Sequence, residues 1–256
     1  ALCKPRGGEN HRVRVVQARP KCYPSRAFRY AGNAMIENVG VTPIFATPIW
    51  AVDLKEDDAL VLNARLLREI EALMGNPRPA LASGTNWQTD PMLQKLPQFA
   101  ELVALVEKAG RGVLDFLQLQ PRDMVVSGCW ANVNPPGGRN SGHTHPNNFL
   151  AAVYYIQTPG AEDKIEFEDP RPQAQVMMPR QNAPTPYTVN TISFTVKPGR
   201  LVLFPAWLRH AVPINRSKID RISFAFNLMF RNYVEESSPA LWRGTVPVAQ
   251  AAGKSG

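Results

Sequence analysis

The chain has 256 residues, 44% of them hydrophobic, and a formal net charge of +8. That length buries a full core within one domain of barrel size. No apolar run reaches the 18 residues of a membrane span; the longest is the eight of Phe149 to Ile156. The basicity argues against a specific nucleic-acid partner because it is confined to one end. Residues 1–34 hold two lysines and six arginines against Glu9 alone, leaving 21 basic and 20 acidic residues elsewhere.

Residues 1–34 are Arg-rich, punctuated by Pro and Gly, and without the apolar segment of a secretory signal. They are expected to be a poorly ordered extension. A domain is expected over 35–236, followed by a tail at 237–256. Cys3, Cys22 and Cys129 are odd in number and lack metal spacing, so no disulfide framework is expected and a reducing cytoplasm is. Asp53 to Met74 predicts a helix with a stripe of Leu60, Asn63/Ala64, Leu67, Ile70 and Met74, stopped by Gly75-Asn-Pro. Gln98 to Leu117 predicts a second, with Phe99, Leu102, Val106, Ala109, Val113 and Leu117 on one side.

From Met124 onward the pattern changes to strands. They are expected over 124–134, 149–156, 164–168, 187–196, 200–204 and 221–230. Helices first and short strands after predict an α+β fold, a jelly-roll barrel buttressed by two N-terminal helices. Trp130, Asn132 and Asn134 alternate on one strand face, as either a wet barrel rim or part of a substrate pocket. Arg171 to Pro186, rich in Pro, Gln and Met, has the character of a lid or of a disordered loop.

The chemistry concentrates in the histidines. There are four, and three lie in Gly142-His143-Thr-His145-Pro146 and, 65 positions beyond His145, in Pro205-Ala-Trp-Leu-Arg-His210. Residues two apart on a strand share a face, so His143 and His145 can present two imidazoles to one point. His210, from a distant strand, would complete one face of an octahedral metal site with positions left open. Taken alone, an HxH pair is more often an exposed polar turn, and a lone histidine a satisfied core residue. Beyond His210, Arg221, Ser223, Ala225 and Asn227 share a face of a β-rich run. A guanidinium there needs an anionic partner, and a small dicarboxylic acid would supply one through a bidentate pair.

In order, HxH, Pro198-Gly-x-Leu-x-Leu-Phe-Pro205-x4-His210 and Arg221-x-Ser223 resemble the iron(II)- and 2-oxoglutarate-dependent oxygenases of the double-stranded β-helix superfamily. More narrowly they resemble the bacterial family described as "putative 2-oxoglutarate/Fe(II) oxygenase". Phe45-Ala-Thr-Pro-Ile-Trp50, Trp130-x-Asn-x-Asn-x-x-Gly-Gly138 and Val153-Tyr-Tyr155 extend the likeness over about Ile36 to Phe230. It implies Fe(II) held by His143 and His210, and 2-oxoglutarate gripped at its far carboxylate by Arg221 with Ser223 and by Tyr155. It further implies consumption of O2, release of succinate and CO2, and hydroxylation of an unactivated C–H bond in a small-molecule or peptide substrate. His145 stands where most of the superfamily has an acid. The third ligand is therefore His145, water, or a remote carboxylate such as Glu168 or Asp169.

Two other readings use the same residues. Gly137-x5-His143-x-His145 and Gly199-x5-Pro205-x4-His210 match much of a metal-binding cupin that needs no 2-oxoglutarate. Against it, Phe149 and Leu150 occupy the place of the cupin glutamate, and Trp207 that of a glycine. A non-enzymatic barrel would keep the histidines as structural groups.

Overall fold

A computed structural model describes residues 44–82, 84–119, 123–160 and 163–233. The expected extension at 1–34 and tail at 237–256 lie outside the described residues. The chain opens with β1 (Trp50–Asp53) and α1 (Glu56–Met74), then β2 (Trp87–Gln88), two short 3-10 turns and α2 (Ala100–Phe116). The strands β3 (Met124–Asn134), β4 (Asn140–His143), β5 (Leu150–Gln157), β6 (Lys164–Glu168), β7 (Thr191–Thr195), β8 (Arg200–Pro205), β9 (His210–Val212) and β10 (Arg221–Phe230) follow.

All strand pairs are antiparallel and form two sheets. The larger runs β1-β8-β5-β10-β3-β2 and the smaller β4-β9-β6-β7. This is the expected barrel of two facing sheets with two helices on one outer face. Strand alternation divides the large sheet into two cores. Its outer side, with Tyr154, Leu201, Leu203, Phe224, Phe226 and Leu228, packs in one cluster with Leu62, Leu66, Ile70, Leu102 and Val106 of the helices. Its inner side, with Trp130, Ala151, Val153, Tyr155, Val202, Phe204 and Ala225, meets Ile165 and Phe167 of the smaller sheet.

The helix faces differ from the expected ones. In α1 the buried stripe is Ala59, Leu62, Leu66, Ile70 and Met74, and Leu60 is exposed. The run Ala-Leu-Val-Leu carries apolar residues at four consecutive positions, so two registers read equally well and the sheet selects one. In α2, Leu102, Val106, Gly110, Val113 and Leu114 are buried while Leu117 is exposed. Gly110 has a reason to be small: a Cβ there would stand 2.7 Å from Leu228 and 2.9 Å from Met124.

Candidate metal centre

The site is built where the small sheet faces the large one. Asn140 pairs with Val212 and His143 with His210, so β4 spends one residue more than β9 over the same span. That bulge re-aims β4 and sets two histidines directly opposite, their ring centroids 4.4 Å apart. His145 is not on the same strand as expected. β4 ends at His143, and the backbone N–H of His145 donates to Ala206 O at 2.8 Å, tying the loop to the end of β8. The two residues still converge because the turn, rather than strand alternation, brings His145 inward.

Each imidazole is oriented by a bond at Nδ1. His143 Nδ1 meets Ser141 O at 2.8 Å, His210 Nδ1 meets Leu208 O at 3.0 Å, and His145 Nδ1 meets Asn227 Oδ1 at 2.5 Å. All three oxygens can only accept, so Nδ1 carries the ring proton and a neutral ring has its lone pair on Nε2. One nitrogen of each of the three rings lies within 4.8 Å of the others, and His145 Nε2 is 3.3 Å from His210 Nε2. Two lone pairs at that distance repel unless a cation lies between them. Cis imidazole nitrogens bound about 2.1 Å from one ion stand roughly 3 Å apart, so the donor set fits a divalent metal.

The surroundings keep the His145 and His210 rings neutral. His145 stacks on Trp130 at 5.7 Å and 22°, and His210 packs against Phe204 at 4.5 Å. Burial, followed by repulsion from His143, lowers His145 to about 4 and His210 to about 3. Of the two remote carboxylates, Glu168 is paired with Arg209 and Asp169 with Arg171. Neither joins the histidine group, and among the described residues no carboxylate does. A Cβ on Gly142 would stand 2.8 Å from Glu168 Oε1 and 2.9 Å from Arg209 Nη2, so the tips of that ion pair would have to shift to admit one.

A cleft of about 630 Å3 opens beside the histidines, lined among others by Asn86, Gln88, Ser127, Trp130, Arg139, His143, His145, Asn148 and Asn227. Trp130 reaches it, whereas Asn132 and Asn134 do not line it. The Asn132 oxygen accepts from Gln88 Nε2 at 2.5 Å, and Asn134 Nδ2 donates to Asn140 Oδ1 at 2.8 Å. Their amides are spent on joining β2 and β4 to β3. Arg171 to Pro186 contains a short exposed 3-10 turn, Pro172–Gln175, and its ends border a separate cleft of about 510 Å3.

Tyr155, Ser223 and Arg221 are buried together at the inner face, Tyr155 opposite Ser223 in the β5–β10 register. The Tyr155 hydroxyl is buried without a hydrogen-bond partner. Burial pushes its pKa well above the phenol value, so it remains a protonated donor. An orphaned donor beside a guanidinium fits the carboxylate of a dicarboxylic cosubstrate. The guanidinium itself already has an anion, Asp163. Arg221 Nε donates to Asp163 Oδ2 at 2.6 Å and Nη2 to Asp163 Oδ1, while Nη1 donates to Pro213 O at 3.2 Å. Three of five N–H donors are thus engaged.

Residues 128–227 match the family model described as "Putative 2OG-Fe(II) oxygenase". The chain has no significant match among curated proteins. Among solved structures it resembles SnoN, a non-heme α-ketoglutarate-dependent epimerase from nogalamycin biosynthesis, with TM-score 0.53 and 11% identity over 80% of this chain and 92% of that one. SnoK, a non-heme α-ketoglutarate-dependent carbocyclase from the same biosynthesis, gives 0.52 and 16% over 72% and 80%. A prolyl-4-hydroxylase of Pseudomonas putida gives 0.47 and 17% over 72% and 94%. At these identities SnoN and SnoK establish the fold alone, and the segment matched by the family model runs from β3 to β10 with all three histidines. Residues 128–227, which carry all three histidines, are thus similar to the 2OG-Fe(II) oxygenases, enzymes whose cofactors are Fe(II), 2-oxoglutarate and O2.

Proposed function

We propose that the enzyme hydroxylates an unactivated C–H bond of a small-molecule or peptide substrate bound in the cleft beside the histidines. His143, His145 and His210 hold the iron through Nε2, and Arg221, Ser223 and Tyr155 hold 2-oxoglutarate at its far carboxylate. The observation that carries this reading is the convergence of one nitrogen from each of three imidazoles whose Nδ1 atoms all face a protein oxygen. When bound, the iron, cosubstrate and O2 together supply an oxidant able to break a C–H bond, with succinate and CO2 released.

The protein's part is placement and dryness. Asn227 and the Ser141 and Leu208 carbonyls hold the three rings in one tautomer. Trp130 and Phe204 lay apolar surface against the His145 and His210 rings. Tyr155 offers a proton donor at a position water does not reach. Three imidazoles without a carboxylate leave the cation's full charge in place, which favours anionic ligands at its open positions. The oxygenase domain is assigned to residues 35–236. Neither nucleic acid nor membrane enters the reading, and no helix among the described residues is long and apolar enough to cross a membrane. A cytoplasmic setting suits ferrous iron and the buried free thiol of Cys129.

The test is an anaerobic titration of Fe(II)-loaded protein with 2-oxoglutarate, following the metal-to-ligand charge-transfer band. One iron per chain is expected, with the band saturating at one cosubstrate. His143→Ala and His210→Ala should lose high-affinity iron while keeping the fold. Full iron occupancy in both variants would falsify the ligand assignment.

A further inference from the structure

Asp163 and Arg221 form a neutral pair in which both side chains are nearly inaccessible, at 2% and 4% exposure. Asp163 sits at the entrance to β6, and its Oδ1 also accepts from the backbone N–H of Lys164 at 2.9 Å. Its backbone is held by Val196 N–H donating to Asp163 O at 2.8 Å and by its own N–H donating to Gly160 O at 3.2 Å. Both Asp163 and Arg221 wall a cleft of about 920 Å3, which shares Arg139, Asn140, Ser141 and Gly142 with the histidine cleft. The orphaned Tyr155 hydroxyl belongs to the same neighbourhood, where it feels the charges of both partners.

A dicarboxylate placing its far end on Arg221 brings a second anion to a guanidinium that already has one. Two carboxylates held side by side away from water repel each other, so the site accommodates one at a time. The fixed backbone of Asp163 leaves side-chain rotation as the means of exchange, and the cleft it lines gives the carboxylate somewhere to turn. We propose that Asp163 is an internal substitute for the cosubstrate's far carboxylate. It occupies Arg221 until 2-oxoglutarate displaces it, and so restricts the site to ligands that bring a carboxylate of their own. This rests on Arg221 being the cosubstrate anchor. A 2-oxo acid with no far carboxylate cannot repay the broken pair, whereas 2-oxoglutarate exchanges one carboxylate for another. Asp163 is thus a specificity-determining residue that lowers the affinity for the cosubstrate it selects.

The test compares 2-oxoglutarate affinity, by calorimetry on anaerobic Fe(II)-loaded protein, in wild type, Asp163→Asn and Arg221→Ala. Asp163→Asn keeps the shape and removes the competing charge. It should bind 2-oxoglutarate at least about tenfold more tightly, with a lower melting temperature that 2-oxoglutarate restores. Arg221→Ala should bind it more weakly. Equal or weaker binding by Asp163→Asn, with Arg221→Ala still weakened, overturns the exchange and leaves the anchor intact. Unchanged binding by Arg221→Ala removes the anchor, and the exchange with it. Should Asp163→Asn not fold, a crystal structure of the wild type with Mn(II) and 2-oxoglutarate decides: Asp163 turned away from Arg221 is expected, and Asp163 still paired with it overturns the proposal.

Discussion

Asn227 controls which nitrogen of His145 faces the other rings, because its amide oxygen can accept from Nδ1–H but cannot donate to it. Groups that orient a metal ligand from behind typically contribute ten- to hundredfold in affinity. Asn227→Ala should therefore weaken Fe(II) or Zn(II) binding by roughly 10–100-fold, while Asn227→Asp, which keeps an acceptor, should recover part of the loss. Metal titration against a competing chelator measures this, and unchanged affinity in Asn227→Ala would assign Asn227 to packing alone. This role was hidden in the sequence, where Asn227 appears only as one polar residue on an apolar strand. The histidines were legible because they are scarce and oddly spaced. Their acceptors were not, since Ser141 and Leu208 act through backbone carbonyls that any residue would supply. Asp163 was equally hidden: its contact with Arg221 spans 58 positions and follows from how the chain enters β6.

At the scale of elements, strands with long apolar runs could be read directly, and β3, β6 and β10 fall where expected. β1, β2, β4 and β9 have two to four residues, too few to show alternation, and only their sheet partners define them. β1 is an edge strand held by charge as well as by its ladder. Asp53 forms a two-point pair with Arg200 of β8, at 2.7 and 2.8 Å, and lies 3.3 Å from Lys197. The Arg200 hydrogen bond is the main cause of a carboxyl held below its ordinary 3.8, and burial opposes it. A depressed folded value makes the contribution complete above the unfolded value and lost as pH falls through the folded one. Asp53→Asn should therefore cost about 1 kcal/mol at pH 7, or roughly 2–4 °C in Tm. The difference from wild type should shrink as pH drops below 3.8. Thermal melts at both pH values check it, and a difference that persists in acid would place the effect in packing instead.

At the scale of the molecule, one sheet separates two environments, and Tyr154 and Tyr155 show the division within a single strand. Tyr154 points outward and donates to Asn63 of α1 at 2.8 Å, whereas Tyr155 points inward with its hydroxyl unpartnered. The outer environment is closed by the helices; the inner one holds the Tyr155 hydroxyl beside the candidate ligand site. The oxygenase match begins at residue 128, so both helices lie outside it although they cover half of the large sheet. A fragment of residues 123–233 would retain every proposed ligand but uncover Tyr154, Leu201, Leu203, Phe224 and Phe226, each fully buried in the whole chain. Burial of such side chains contributes about 1.5–3 kcal/mol each, so five together represent on the order of 10 kcal/mol. A whole domain is stable by only about 5–15 kcal/mol. The fragment should therefore lack a cooperative thermal transition and bind a hydrophobic dye, even with Zn(II) present, while residues 44–233 melt cooperatively. Cooperative unfolding of the fragment with intact metal binding would show that the barrel holds its site without the helices, and that their apolar faces contribute far less than their burial implies.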